Sequence, residues 1–341
     1  METKNTDKIS FPETLIEAVR QFSDLNYATK FFAQIRWPDG VTCPHCGSTQ
    51  VDYVAKRRVW ECRQKHARAQ FSVKIGTIFE ECRLSIDKCL IAIWLEVNAK
   101  NSISSYEIAR HLGVTQKTGW FLLHRVRHAL KVGSFDTKLA GTVEADETYI
   151  GGLRANMHKE KRAALSGRGG AGKTIVMGLL QRHTEKGKSK VRTEVLEGNV
   201  NRGSLHPVIY KMVEPGTQFY TDAHSGYTGL GADYIHGFID HAEKYVEGQI
   251  HTNGLENFWA LFKRCIKGTH VSIEPFHLEA YLNSECFRFN HRKTDDGNRF
   301  MGALPGTEGK RLTYKALTGR DDNSEGAQGN DSGGASGDLL N

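Results

Sequence analysis

The spacing of hydrophobic positions changes several times along this chain, and each change predicts an element. Leu84, Leu90, Ile91, Trp94, Leu95 and Val97 mark one amphipathic helix. Residues 104–112, the turn Gly113-Val-Thr115 and residues 116–130 predict helix, short turn, helix. That is a helix-turn-helix arrangement, with Ala109 small enough for close packing and Thr115 placed to cap the second helix. From residue 140 the period shortens. The predicted order is a strand at 142–150, a basic loop, strands at 174–182 and 190–197, a helix at 204–213 and a strand at 218–222. A mixed segment at 223–245 precedes a helix opened by Glu256. A later helix holds Leu278, Tyr281, Leu282, Cys286 and Phe287. Strands first and helices afterwards suit a mixed α/β sheet. From Asp321 the chain is rich in Gly, Ser and Asp without an apolar face, so disorder is expected there.

Cysteine placement adds a metal. Cys43-x2-Cys46 is a Pro-containing knuckle that aims two thiolates at one tetrahedral ion, and Cys62-x3-His66 supplies a second pair. A structural zinc on Cys43, Cys46, Cys62 and His66 is expected within 41–79, because four protein ligands leave no position for water. His45 is the competing imidazole, less suited by its place inside the knuckle. Cys82, Cys89, Cys265 and Cys286 sit in apolar helical patterns and are expected in the core.

Three carboxylates carry the candidate chemistry. Asp146 lies in the predicted strand 142–150, Asp222 ends the aromatic strand 218–222, and Glu256 opens its helix with Trp259 and Lys263 at i+3 and i+7. Hard oxygen ligands converging from several elements suit two Mg²⁺ ions at a phosphoryl-transfer site. Periodicity alone does not choose among Glu144, Asp146 and Glu147, and Glu144 shares a strand face with Asp146.

The stretches VEADETYIGG at 143–152, FYTDAHSGY at 219–227 and HTNGLENFWALFKR at 251–264, with Cys43-Pro-His-Cys46 and residues 69–79 upstream, resemble one family. It is the DDE-type transposases of bacterial insertion sequences, in the subgroup with an N-terminal zinc ribbon. The resemblance covers roughly residues 15–305. It implies a ribonuclease-H-like catalytic fold and metal-binding roles for Asp146, Asp222 and Glu256, and it makes Lys263 a DNA contact. The implied layout is an N-terminal helical segment at 1–40, a zinc ribbon at 41–80, a helix-turn-helix region at 84–135, a catalytic domain at 140–305 and a flexible tail at 306–341. The implied activity is metal-dependent cleavage at the element's ends and strand transfer into target DNA, with double-stranded DNA as partner and a homo-oligomer assembled on it. Gln116, Lys117 and Thr118 stand where a recognition helix meets base edges, and Arg125, Arg127, His128 and Lys131 are placed for phosphates. His224 and Asn253 flank the acids. A DNA-binding regulator with an inert nuclease-like domain is the competing function.

Charge fits a DNA partner. Residues 1–140 hold 21 Lys+Arg against 14 Asp+Glu, while residues 141–300 hold 21 against 19, so the excess lies over the proposed DNA-reading half. Between Arg154 and Arg192 there are 11 basic residues and two acids. Arg288, His291, Arg292 and Lys293 form a further basic cluster. Gly167-Arg-Gly-Gly-Ala-Gly172-Lys173-Thr174 matches a phosphate-loop pattern, but a charged stretch precedes it and a strand follows. A flexible basic loop is expected instead, and no nucleotide. The longest apolar stretch, 89–95, is too short to cross a bilayer, METKNTDKIS is no signal peptide, and seven unevenly placed cysteines argue for a reducing compartment. A cytoplasmic location is expected.

Overall fold

The computed structural model describes residues 11–64, 66–131, 137–152, 159, 172–183, 188–239 and 251–319. Helices α1 (Leu15–Phe22) and α2 (Leu25–Arg36) come first, capped by the side chains of Thr14 and Asp24. Strands β1 (Val51–Val54), β2 (Val59–Cys62) and β3 (Gln70–Ser72) follow as a small antiparallel sheet in that order. Helix α3 (Ile86–Asn98) leads to α4 (Ser105–Leu112) and α5 (Gln116–Ala129). Ser104 and Glu107 form a capping box on α4, Gly113 ends it in the left-handed region at φ 62°, and Thr115 caps α5. The close approach of α4 and α5 depends on Gly119, where a Cβ would lie 2.9 Å from Ile108 Cγ2 and 3.2 Å from the Ala109 nitrogen.

The larger sheet contains β4 (Thr142–Ile150), β5 (Thr174–Gln181), β6 (Lys190–Leu196), β7 (Gln218–Asp222) and β8 (Ile235–Ile239) in the order β6-β5-β4-β7-β8. Strands β4 to β6 pair antiparallel, and β7 and β8 join parallel. This is the mixed sheet of a ribonuclease-H-like fold, in an α/β chain with a small zinc-ribbon-like sheet ahead of it. Helix α6 (Arg202–Met212) covers one face, where Leu205, Ile209 and Met212 pack on Val143, Ala145, Leu179 and Phe219. The other face carries α7 (Asn253–Cys265) and α8 (Leu278–Asn290), which bury Leu255, Phe258, Trp259, Phe262 and Leu282 against Ile150, Val176 and Leu180. Alternation along β4 therefore sends 143, 145 and 147 towards α6, and 144, 146, 148 and 150 towards α7.

Three elements were not predicted, one of them a short helix at Tyr314–Thr318 inside the stretch 306–341 expected to be a flexible tail. β8 lies in the segment left mixed by its sequence, because a lone His-Gly dipeptide interrupts its apolar run. Helix α9 (Asp296–Ala303) is a short polar helix capped by Asp295 that buries Gly297, Phe300 and Ala303, with Phe300 among Phe22, Phe31 and Trp94. Beyond α9 the chain returns to the N-terminal part, where the Ile78 N–H donates to Thr307 O at 2.8 Å. Lys310 Nζ donates to the α5 carbonyls of His128 and Ala129 at 3.2 and 3.0 Å. Residues up to Arg311 form one compact unit, and α10 (Tyr314–Thr318), capped by Thr313, belongs to a separate C-terminal unit. The tail expected after Asp321, and most of the basic stretch between Arg154 and Arg192, lie outside the described residues. Thr174 opens strand β5, as predicted, so no helix follows the phosphate-loop pattern.

A buried ion network joins α3, α5 and α8. Glu96, fully buried, accepts from Arg127 Nε at 3.0 Å and Ser284 Oγ at 2.6 Å, and Arg288 Nη1 lies 3.5 Å from its carboxylate. Burial works to raise the Glu96 pKa, but the charges of Arg127 and Arg288 and these hydrogen bonds outweigh it and hold it at about 2.

Candidate active site and zinc site

Parallel pairing of β4 with β7 runs from Thr142↔Gln218 to Glu144↔Tyr220. Continued by two residues, that register sets Asp222 abreast of Asp146, at the point where β7 ends. Both then face the α7 layer, as Tyr220 does with Arg182 over its ring. Helix α7 brings Glu256 to the same face from its exposed first turn. The carboxylates act on one another. Burial, with the charges of Asp222 and Glu256, pushes Asp146 up to about 6. The buried Trp259 indole N–H faces Asp146 and favours its charged form, although Nε1 meets no partner with good hydrogen-bond geometry. Room for that indole comes from Gly178, the β5 partner of Asp146, where a Cβ would lie 2.5 Å from Trp259 Cζ2.

The neighbouring acids have other partners. Glu144 is buried, takes Arg182 Nε at 2.6 Å and accepts the Leu255 N–H at 3.1 Å, so a strand carboxylate serves the open N-terminus of α7. Gly254 permits that reach, since a Cβ there would lie 2.8 Å from Glu144 Oε2. Glu147 is on the opposite face, bonded by the Tyr227 hydroxyl. Burial raises its pKa to about 8, against the lowering effect of Tyr227. His224 donates its backbone N–H to Asp222 Oδ1 at 3.2 Å and accepts from Gly226 N through Nδ1, while Asn253 is exposed in the first turn of α7.

In the small sheet, Cys43, Cys46, Cys62 and His66 bring their ligand atoms within 4.8 Å of one another, with Cys43 Sγ 3.5 Å from His66 Nε2 and Cys46 Sγ 3.6 Å from Cys62 Sγ. Those spacings fit the roughly 3.7 Å edge of a tetrahedron whose Zn–S bonds are about 2.3 Å. Gly47 at φ 73° and the hydrogen bond from its N–H to Cys43 O close the knuckle. His45 stays outside the cluster. Among the described residues no other group of His, Cys, Asp and Glu is gathered this tightly.

Two stretches of the chain match known domain families. Residues 26–65 match a transposase zinc-ribbon domain, and residues 138–290 match an ISXO2-like transposase domain. Both matched domains are those of DDE-type transposases. Over 279 residues it is 25% identical to an uncharacterized protein in transposable element ISH50 of Halobacterium salinarum, covering 78% of this chain and 91% of that one. No solved structure matches. The ribbon match stops at residue 65, so His66 as the fourth zinc ligand rests on the geometry.

The transposase presents only part of its predicted DNA-contact set. Lys117 is exposed at the start of α5, beside Thr118, while Gln116 Nε2 bonds Ser105 Oγ at 2.9 Å. Lys263 is exposed on α7, and Lys131 is exposed but paired with Glu279 at 2.5 Å. Arg125 and Arg127 correct the prediction. Arg127 is 1% exposed and bound to Glu96, and Arg125 is 5% exposed with its guanidinium over Phe121. Arg127 points into the seam where α5 packs on α3 and α8, and Arg125 lies near Cys82 and Cys89 instead, which helical spacing within α5 does not reveal.

Proposed function

We propose that this transposase cuts DNA at the ends of its insertion sequence and joins the freed ends to target DNA, with Asp146, Asp222 and Glu256 holding two Mg²⁺ ions. The observation that carries this is the β4–β7 register, which sets two carboxylates abreast on the face that α7 approaches with a third. Hard oxygen donors, where burial and the neighbouring charges raise the Asp146 pKa to about 6, suit a divalent cation. When bound, such ions lower the pKa of a water nucleophile and neutralise charge on the leaving oxygen. The chain's own residues position the ligands. Glu144 and Arg182 hold the first turn of α7, and hence Glu256, against the sheet. Trp259, seated on Gly178, limits how far the Asp146 carboxylate can turn. Gln116, Lys117 and Thr118 at the head of α5, and Lys263 on α7, are the proposed DNA contacts, and a homo-oligomer on DNA is the proposed working form.

The test is cleavage and strand transfer on duplexes carrying the terminal repeats, in Mg²⁺. Asp146→Asn, Asp222→Asn and Glu256→Gln should each lower turnover at least about 100-fold, with DNA binding retained, since each removes a ligand charge yet keeps side-chain volume. Glu147→Gln should keep substantial activity. A dead Glu147→Gln beside an active Asp146→Asn would move the first ligand by one residue, and three active variants would defeat the proposal.

A further inference from the structure

A cleft of about 440 Å³ opens between the loop after α3, the C-terminal half of α7, and helices α8 and α9. Five basic side chains line it, Lys100, Arg264, Arg288, Arg292 and Arg299, against two acids. Both acids are already engaged, Glu285 with Arg288 at 2.5 Å and Asp296 with Arg299 at 2.9 Å. Arg292 bonds neutral oxygens of Ser189 and Phe289, so those contacts leave its charge uncancelled. Lys100 and Arg264 are exposed at the rim, and on the floor the Nε–H of Arg288, a residue 8% exposed, is buried with no hydrogen-bond partner. The cleft thus holds an excess of positive charge on a rigid frame. Arg299 Nη1 donates to Asn98 Oδ1 at 2.7 Å, and the Thr269 hydroxyl donates to Asn101 O at 2.8 Å, fixing both walls.

Its position matters as much as its charge. Arg264 lies eight residues beyond Glu256 on one helix, about 12 Å along the axis. That length matches roughly three to four base pairs of duplex at about 3.4 Å each. Lys100 lies on the loop that runs into Ser104, the cap of α4. We propose that this cleft seats backbone phosphates of duplex DNA about three to four base pairs from the cut, between the acidic site and the helix-turn-helix. The assignment rests on the transposase function proposed above and adds the phosphate track that aligns the duplex with it.

The experiment uses the full zinc-loaded chain and a duplex carrying the terminal repeat. Binding is followed by fluorescence anisotropy across a salt series, for the wild type and for a Lys100→Gln/Arg264→Gln double variant. Each lost phosphate contact should make the slope of log K against log salt shallower by about 0.9, so by roughly 1.8 for the pair. A Lys100→Arg/Arg264→Lys variant should restore the slope, which separates charge from folding. Methylphosphonates three to four base pairs from the cut should weaken wild-type binding and leave the double variant unaffected. An unchanged slope, or methylphosphonate sensitivity that persists in the double variant, overturns the assignment. So does saturable binding of inorganic phosphate that is lost in the double variant while its DNA slope stays the same, because the cleft is then a small-anion site. A wild type that neither binds nor cuts the duplex defeats the transposase proposal itself, whereas one that cuts while the double variant keeps the wild-type slope defeats only the cleft.

Discussion

Glu144 faces α7 with a buried charge pair, Asp146 shares that face with two other carboxylates, and Glu147 meets a tyrosine hydroxyl on the far side. Their amide variants should separate accordingly in thermal melts of the metal-free protein. Glu144→Gln should lose about 1–3 kcal/mol, because Arg182 and the Leu255 N–H keep only a neutral acceptor. Asp146→Asn should melt no lower than the wild type, since the charge it removes is disfavoured by burial and by Asp222 and Glu256. Glu147→Gln should also be tolerated. A Glu144→Gln protein with a wild-type melt would remove the role given to that carboxylate. Alternation along the strand shows that 144 and 146 share a face, but it cannot say which face meets a helix and which of the two is spent on structure. That depends on β4–β7 pairing across some 76 residues, which no local pattern contains.

Elements with a strong period were legible. β4, β5, β6 and β7 fall within a residue or so of their predicted limits, and the capped α4–α5 pair is where Ser104, Gly113 and Thr115 placed it. The zinc set was legible as a whole, since the knuckle and the Cys62-x3-His66 spacing named the four residues whose ligand atoms the structure gathers, with His45 set aside by its place inside the knuckle. At this scale the expectation concerns metal. Cys62→Ser and His66→Ala should each lower bound zinc from about one equivalent per chain, and hydrogen exchange should rise across β1–β3 while β4–β8 stay protected. Zinc retained in His66→Ala would hand the fourth position to another ligand. What the chain did not disclose is which way a helix turns its cations. Arg125 and Arg127 look like phosphate contacts by spacing, and both are buried because other elements pack around α5 on more than one side.

At the scale of the whole molecule, the seam between α5 and α8 should be sensitive to acid. His124 is buried there and His270 half-buried, beside Trp120, His277 and Tyr281, with their Nε2 atoms lacking partners. Burial, with Arg127 nearby, lowers His124 to about 2 and His270 to about 4. The folded protein therefore refuses protons that the unfolded chain accepts below about 6.5. Stability is full above that value and falls as pH drops towards 4, by up to about 1.4 kcal/mol per pH unit for each histidine. Glu96 extends the loss at lower pH, from 4.5 towards 2. His124→Phe should flatten the pH dependence of the melting temperature between 6.5 and 4 relative to the wild type. An identical profile in the variant would show that the seam does not carry it.

The Glu96 network has a mechanical meaning too. Its carboxylate is gripped at once by α5, the helix proposed to read DNA, and by α8, packed on the larger sheet, so those two parts cannot swivel independently without stranding a charge in the interior. A protein wired in this way works as a fixed gauge. Under the function proposed above, the distance from recognised sequence to cut site is built into one solid body, and repositioning between cutting and joining then comes from bending of the DNA or from movement of a second copy.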